Sequence, residues 1–192
     1  MIKAIIFDCF GVLYHGSLRH LVEMAPEEKR LQVRDLSRAS DRGYVTREEY
    51  LRGVAELTGS ASEEIERIID SNHVRNESLM EYAKSLKSEY KIGMLSNVGQ
   101  NVMPRIFTQH ELNEVFDAVV LSSEVHMVKP QPEMYEYIAG RLRVPIESCV
   151  MVDDLIENVE GARQAGMLGL LFTDTDTLKT ELGNLMAVAR DA

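Results

Sequence analysis

Five short apolar runs punctuate the chain, at residues 3–8, 90–97, 118–122, 149–154 and 168–172. Each has about the length of an average strand, is dominated by aliphatic residues and lacks a polar alternation. Unbroken apolarity over so short a stretch predicts strands covered on both faces, as in a parallel sheet. Between the runs the period changes. Apolar positions at helical spacing predict helices over residues 76–87, 131–142 and 156–165, and the tail beyond Phe172 is amphipathic in the same way. Strand and helix in alternation predict an α/β fold, a doubly wound, mostly parallel, Rossmann-like sheet.

Residues 14–73 break this rhythm. They hold no convincing strand but four amphipathic helical patterns, over 18–24, 27–38, 46–57 and 62–69. Thr46-Arg47-Glu48-Glu49 reads as a capping box, Ser62-Glu63-Glu64-Ile65 offers a second N-cap, and Gly59 is placed to end the third helix. A helical block inserted straight after the first strand predicts a small α-helical cap over the carboxyl ends of the sheet. The expected division is a core of residues 1–13 and 74–192 and a cap of residues 14–73.

Composition narrows the function classes. A formal net charge of −10 argues against a nucleic-acid partner, because phosphate neutralisation needs clustered Lys and Arg. It is no obstacle to a small phosphorylated metabolite, which one cation and one lysine can hold. The two cysteines, Cys9 and Cys149, lie in apolar runs and are expected to be buried reduced thiols rather than a disulfide framework. The start of the chain lacks the cationic and apolar regions of a secretory leader, and no apolar run approaches the ~20 residues that span a bilayer. No membrane partner and a cytoplasmic location are therefore expected.

Ligands of open α/β sheets bind beyond the carboxyl ends of the strands, so polar residues there are the informative ones. Strand one delivers Asp8, strand two Ser96 and Asn97, and strand four Asp153 and Asp154, while Lys129 follows strand three. A carboxylate at Asp8 can attack phosphorus and split a hard hydrolysis into two steps through an aspartyl phosphate. Magnesium takes one or two carboxylates together with water and substrate phosphate, which Asp8 and Asp154 can supply. Asp153 and Asp154, adjacent at a strand end, repel one another without a cation or donors; Asp153 either joins the metal or braces it from behind. Ser96, Asn97 and Lys129 are candidates for holding the phosphoryl oxygens, and Lys129 for holding the anionic Asp8 as well. Asn158 is read as bracing the loop after strand four.

These residues sit in four phrases. Phe7-Asp8-Cys9-Phe10-Gly11-Val12-Leu13 resembles the first motif of the haloacid dehalogenase-like hydrolases, and Leu95-Ser96-Asn97 resembles the second. Lys129-Pro130 with Gln131-Pro132-Glu133 resembles the third. Val152-Asp153-Asp154 and the small-residue helix after it, through Gly161 to Gly166, resemble the fourth. The resemblance implies that Asp8 is the nucleophile and that the backbone carbonyl of Phe10 joins Asp8 and Asp154 around Mg2+. It also implies that the insert is the family's small helical cap. Residues 41–50, from Asp41-Arg42-Gly43 to Tyr50, are similar to the cap of a subgroup that includes sugar-phosphate phosphatases and the phosphatase domain of soluble epoxide hydrolases.

One position departs from the pattern. Phosphatases of this family usually carry a second aspartate two residues after the nucleophile, as general acid and base, and here Phe10 stands there. Proton transfer by such a group is worth about 10²–10⁴-fold. Three readings follow: a phosphatase with another proton source, a catalytically impaired member that binds a ligand or regulates, or a 2-haloacid dehalogenase. Dehalogenases of the family need no magnesium and usually carry Ser and Asn where this chain has Asp153-Asp154, which favours phosphoryl chemistry. His15 and His20 beside the nucleophile loop, and His73 at the return from the insert, are candidates for the missing proton, with partly exposed loop and helix positions as the plainer alternative.

Overall fold

The structure is a computed structural model describing residues 1–190; residues 191 and 192, counted above with the core, lie outside the described residues. The five runs form β1 (Ala4–Phe7), β2 (Lys91–Ser96), β3 (Ala118–Leu121), β4 (Cys149–Asp153) and β5 (Leu168–Leu171). All pair in parallel, in the order β3-β2-β1-β4-β5. Strands are shorter than the runs because Asp8, Asn97, Ser122 and Asp154 fall just past the last strand residue.

Continuous apolarity has the expected cause. In β1, Ile5 and Phe7 face one core cluster while Ala4 and Ile6 face the other, and all four are fully buried. In β4, Val150 and Val152 join the first cluster and Cys149 and Met151 the second. Both cysteines are buried free thiols. Two-sided burial leaves no polar position within a strand, so polar residues are confined to the strand ends.

In the insert, α1 (Leu18–Met24), α2 (Arg30–Asp41), α3 (Arg47–Thr58) and α4 (Ser62–Asn72) pack around a cluster of their own that includes Leu21, Val33, Val54 and Ile65. The Thr46 capping box is formed, and Gly59 closes α3 in the left-handed region. Ser62 is the first residue of α4 rather than its cap, since Ala61 takes the cap position without a side-chain bond. The second helix is displaced from its predicted span. A 3₁₀ turn at Glu27–Lys29 precedes it, and it runs on to Asp41 because buried Ser37 and Ser40 take the inner face where the sequence pattern shows no apolar residue. The chain enters the insert past Tyr14 and leaves it at Arg75, and a backbone bridge joins these two residues.

On the core, α5 (Glu77–Leu86) is capped by Asn76, whose side chain accepts from Leu79 N–H. Three short helices were not foreseen: α6 (Met103–Ile106), α7 (Gln109–Val115) and α8 (Ser122–Val125). At four to seven residues, they are too brief to show a helical period. Then come α9 (Pro132–Leu142), α10 (Ile156–Gln164) and α11 (Thr175–Arg190). Leu178 and Leu182 of α11 join α5 on one face of the sheet; Met134, Ile138 and Ala162 of α9 and α10 cover the other. Among the described residues no helix is long and apolar enough to cross a membrane.

The strand order makes β1 the switch point. From β1 the chain builds outward to β2 and β3 on one side and later to β4 and β5 on the other. The crevice between the carboxyl ends of β1 and β4 is where this topology places a ligand, and Asp8, Asp153 and Asp154 are the residues at those ends.

Candidate active site

Asp8 lies one residue beyond β1, held by its own N–H donating to Val152 O at 2.9 Å. Its Oδ1 accepts from Cys9 N–H at 2.6 Å and pairs with Lys129 Nζ at 2.9 Å. Among the described residues no hydrogen bond reaches Oδ2, and Asp8 lines the large cavity beneath the insert. Lys129, 3 % exposed, also donates to Asp153 Oδ2 at 2.6 Å, so one buried ammonium spans two strand ends. Asp153 is fully engaged: its Oδ1 accepts from Leu155 N–H and Asn158 Nδ2, both at 3.0 Å. Asn158 thus braces Asp153, as its place in the sequence suggested.

Asp154 points the other way, into the cavity. Its position depends on Gly11, where the backbone turns through φ +93° and a Cβ would sit 2.2 Å from Asp154 Oδ2. Glycine is required here twice, for the left-handed conformation and for the space a carboxylate fills. Gly11→Ala is expected to cost about 1–3 kcal/mol in backbone strain alone. It is also expected to weaken any Mg2+-induced rise in Tm by pushing Asp154 aside; urea unfolding with and without the ion reads both.

Oxygens of Asp8, Asp153 and Asp154 lie within 4.8 Å of one another. Burial pushes the Asp8 carboxyl up to about 8, with Asp153 and Asp154 adding to the rise and Lys129 opposing it. Asp154 is raised by burial and by Asp153. For Lys129 burial works downward, but the Asp8 and Asp153 carboxylates outweigh it and the amine is held above its usual range. Three clustered carboxylates against one lysine leave negative charge uncompensated, and hard oxygen donors suit a small divalent cation. The residues present therefore fit magnesium.

Ser96, at the end of β2, has a fully buried Oγ without a hydrogen-bond partner. Buried hydroxyls are seldom left so, and this one is a donor in reserve. Asn97 lines the cavity, but both ends of its amide are engaged on the Lys129 backbone: Nδ2 donates to Lys129 O at 3.0 Å and Oδ1 accepts from Lys129 N–H at 2.8 Å. It fixes the loop that carries the lysine. On the opposite side, Gly161 of α10 packs so closely that a Cβ would meet Pro130 Cβ at 2.6 Å. The small-residue helix after Asp154 therefore clamps the Lys129-Pro130 turn from behind.

The cavity is about 530 Å³ and is roofed by the insert, which contributes Arg34, Asp41, Arg47 and Tyr50. Phe10 lines it, its ring 4.9 Å from that of His73. Of the three candidate histidines only His73 lines this cavity; His15 and His20 are exposed. Burial lowers the His73 pKa. Asp41 opens the stretch likened above to a phosphatase cap but is not among the site residues expected from the sequence. Burial pushes its carboxyl up to about 6, against the pull of Lys129 and Arg42.

Known proteins resemble this chain to differing depths. A Mycobacterium tuberculosis phosphatase is 39% identical over 82 residues, 42% of this chain and only 38% of the relative's own length. The phosphorylated carbohydrates phosphatase of Thermotoga maritima is 26% identical over 177 residues, covering 86% of this chain and 82% of that one. A Bacteroides thetaiotaomicron enzyme solved with magnesium and inorganic phosphate superposes with a TM-score of 0.72 at 21% identity, over 90% of this chain and 95% of its own. The likeness there is one of fold. The family model for haloacid dehalogenase-like hydrolases matches residues 2–166, a span that contains every strand-end residue described above. On that match, the chain belongs to the haloacid dehalogenase-like hydrolases.

Proposed function

We propose that the chain is a magnesium-dependent phosphomonoester hydrolase acting on a small phosphorylated metabolite, a sugar phosphate being the favoured class. The observation that carries this reading is the cluster of Asp8, Asp153 and Asp154, the first two buried and paired with Lys129, at the switch point of the sheet and opening into a cavity. Its size, about 530 Å³, is that of a small-molecule site. The phosphatase relatives, including one named for phosphorylated carbohydrates, support the same class.

In this mechanism Asp8 Oδ2 attacks phosphorus while Lys129 holds Oδ1 and keeps the carboxylate oriented. Asp8, Asp154 and the Phe10 carbonyl would hold Mg2+, and Asp153 keeps Lys129 and Asn158 in place beneath them. When bound, the ion supplies charge stabilisation to the phosphoryl group. The orphaned Ser96 Oγ donates to a phosphoryl oxygen, which satisfies both partners at once. Asn97 acts through Lys129. The helical insert is the cap: Arg34 brings a positive charge to its lining toward an anionic substrate, and it keeps bulk water from the acyl phosphate.

A phosphate-release assay over sugar phosphates, nucleotides and phosphoamino acids, with Mg2+ and with chelator, tests this. Turnover that needs Mg2+ and favours one small class is the expected result; no release from any of them rejects the reading. Phe10 favours a second one, a member that binds without turnover. Phe10→Asp separates the two: a silent chain that gains phosphatase activity on this change is a lapsed enzyme.

A further inference from the structure

We propose that Asp41, carried to the cavity by the helical insert, is the proton donor and acceptor of the hydrolysis, in place of the carboxylate that Phe10 does not provide. This rests on the reading of Asp8 as nucleophile given above. Three observations lead to it.

Asp41 ends α2 and lines the same cavity as Asp8, Phe10 and Asp154. Asp41 is half-buried, and its carboxyl makes no hydrogen bond or ion pair among the described residues, unlike Asp153, whose two oxygens are both engaged. Facing the cavity without a protein partner, it is free to meet a group that arrives with the substrate.

The second observation is that the backbone carrying Asp41 is anchored to the core, not free on a loop. Ser122 Oγ donates to Asp41 O, the His126 ring meets Arg42 O at 3.2 Å, and Gln100 Nε2 donates to Gly43 O at 3.3 Å. Three consecutive carbonyls are thus held by three core side chains. Beside them Gly99 admits Ser40, since a Cβ on Gly99 would come within 2.2 Å of Ser40 Oγ. The insert is docked at this corner, and a carboxyl fixed there is placed as reproducibly as one on a core strand.

Thirdly, the surroundings suit exchange of a proton near neutrality. The charged and titratable groups about Asp41 are Lys129 from the loop after β3, Arg42 beside it and the Tyr50 hydroxyl of α3; His126 adjoins through Arg42 O. Burial outweighs the two cations and raises the carboxyl to about 6. A donor and acceptor works best with a pKa near the working pH.

The step balances as follows. Asp8 Oδ2 forms a bond to phosphorus as the bond from phosphorus to the substrate oxygen breaks. The electron pair stays on that oxygen, which takes the Asp41 proton and leaves as an alcohol. The Asp41 carboxylate then removes a proton from water as the water oxygen bonds to phosphorus. The bond to Asp8 breaks with its pair returning to the carboxylate, inorganic phosphate departs, and Asp41 ends protonated, as it began.

Asp41→Asn tests this with two substrates and Mg2+ present. With an alkyl phosphate, whose leaving group needs the proton, turnover is expected to fall about 10²–10⁴-fold. With p-nitrophenyl phosphate, whose leaving group does not, a stoichiometric burst of nitrophenolate at the wild-type rate is expected, followed by a stall with Asp8 phosphorylated. Asp41→Glu is expected to restore part of the alkyl phosphate rate. Because a raised carboxyl stabilises the fold below its unfolded pKa of 3.8 and loses that contribution as pH rises through about 6, Asp41→Asn is also expected to melt higher than wild type at pH 8 and level with it at pH 4. Wild-type rates on both substrates, or an equal loss on both without a burst, overturn the assignment of Asp41 and leave Asp8 untouched. A wild-type chain that releases phosphate from neither substrate overturns the reading of Asp8, and this one with it.

Discussion

Asp8→Asn is expected to abolish phosphate release, by a factor on the order of 10⁴–10⁶ as when other enzymes lose their nucleophile. The amide keeps the shape of the carboxylate and can still accept from Cys9 N–H and Lys129, so the pocket persists while the attacking oxygen does not. It also removes one of three crowded carboxylates. The variant is therefore expected to fold at least as well at pH 8, and its Tm checks that lost activity is not lost structure. Phosphate release that continued at the wild-type rate would remove Asp8 from the chemistry.

Lys129→Met is expected to be the most damaging change to stability. The lysine is buried and compensates Asp8 at 2.9 Å and Asp153 at 2.6 Å. Removing one partner of a buried charge pair costs about 3–5 kcal/mol, because the group left behind is uncompensated. The loss has a sign in pH. Burial already holds the Asp8 proton up to about 8 with Lys129 pulling against it, and without the lysine the proton is held more tightly still. A carboxyl raised in the folded state favours folding below its unfolded pKa of 3.8 and ceases to as pH climbs through the folded value. The deficit is accordingly expected to be small from pH 4 up to about pH 8 and to grow above it, where the wild-type carboxyl has lost its proton and the variant's has not, read by urea unfolding in chelator at pH 4 and at pH 9.5. If the variant unfolds at the wild-type urea midpoint at both pH values, the ammonium is not what holds the strand ends together.

How much of this was legible in sequence followed the physics of burial. Strands covered on both faces reveal themselves as unbroken apolar runs, and the few polar residues that end such runs are conspicuous. Asp8, Ser96, Asp153 and Asp154 could be picked out for that reason; the structure brings the three carboxylates to one crevice and leaves Ser96 buried at the end of the neighbouring strand. The insert was legible where local chemistry is strong, as at Thr46 and Gly59, and blurred where tertiary contact decides. Ser37 and Ser40 are buried on α2 because Tyr50 and Gly99 lie opposite them, which no pattern within residues 30–41 records. Asp41 was illegible for the same reason: an aspartate at the end of a helix looks like any other until the core that surrounds it is known. Asn97 was read as touching phosphate, whereas its amide is engaged on the Lys129 backbone.

The central place of β1 bears on how such a chain comes to be folded at all. Ala4 must find Lys91 on one side and Cys149 on the other. At a ribosome's pace of about 5–20 residues per second, the second partner is made about 7–28 seconds after the first strand. Through that interval Ile5, Ile6 and Phe7 have at most one neighbouring strand, and an apolar ribbon with an open edge invites pairing with other chains. Newly made copies are thus most exposed to aggregation before residue 150 is added, and a chaperone that shields the first dozen residues would matter more to yield than one that acts on the finished protein.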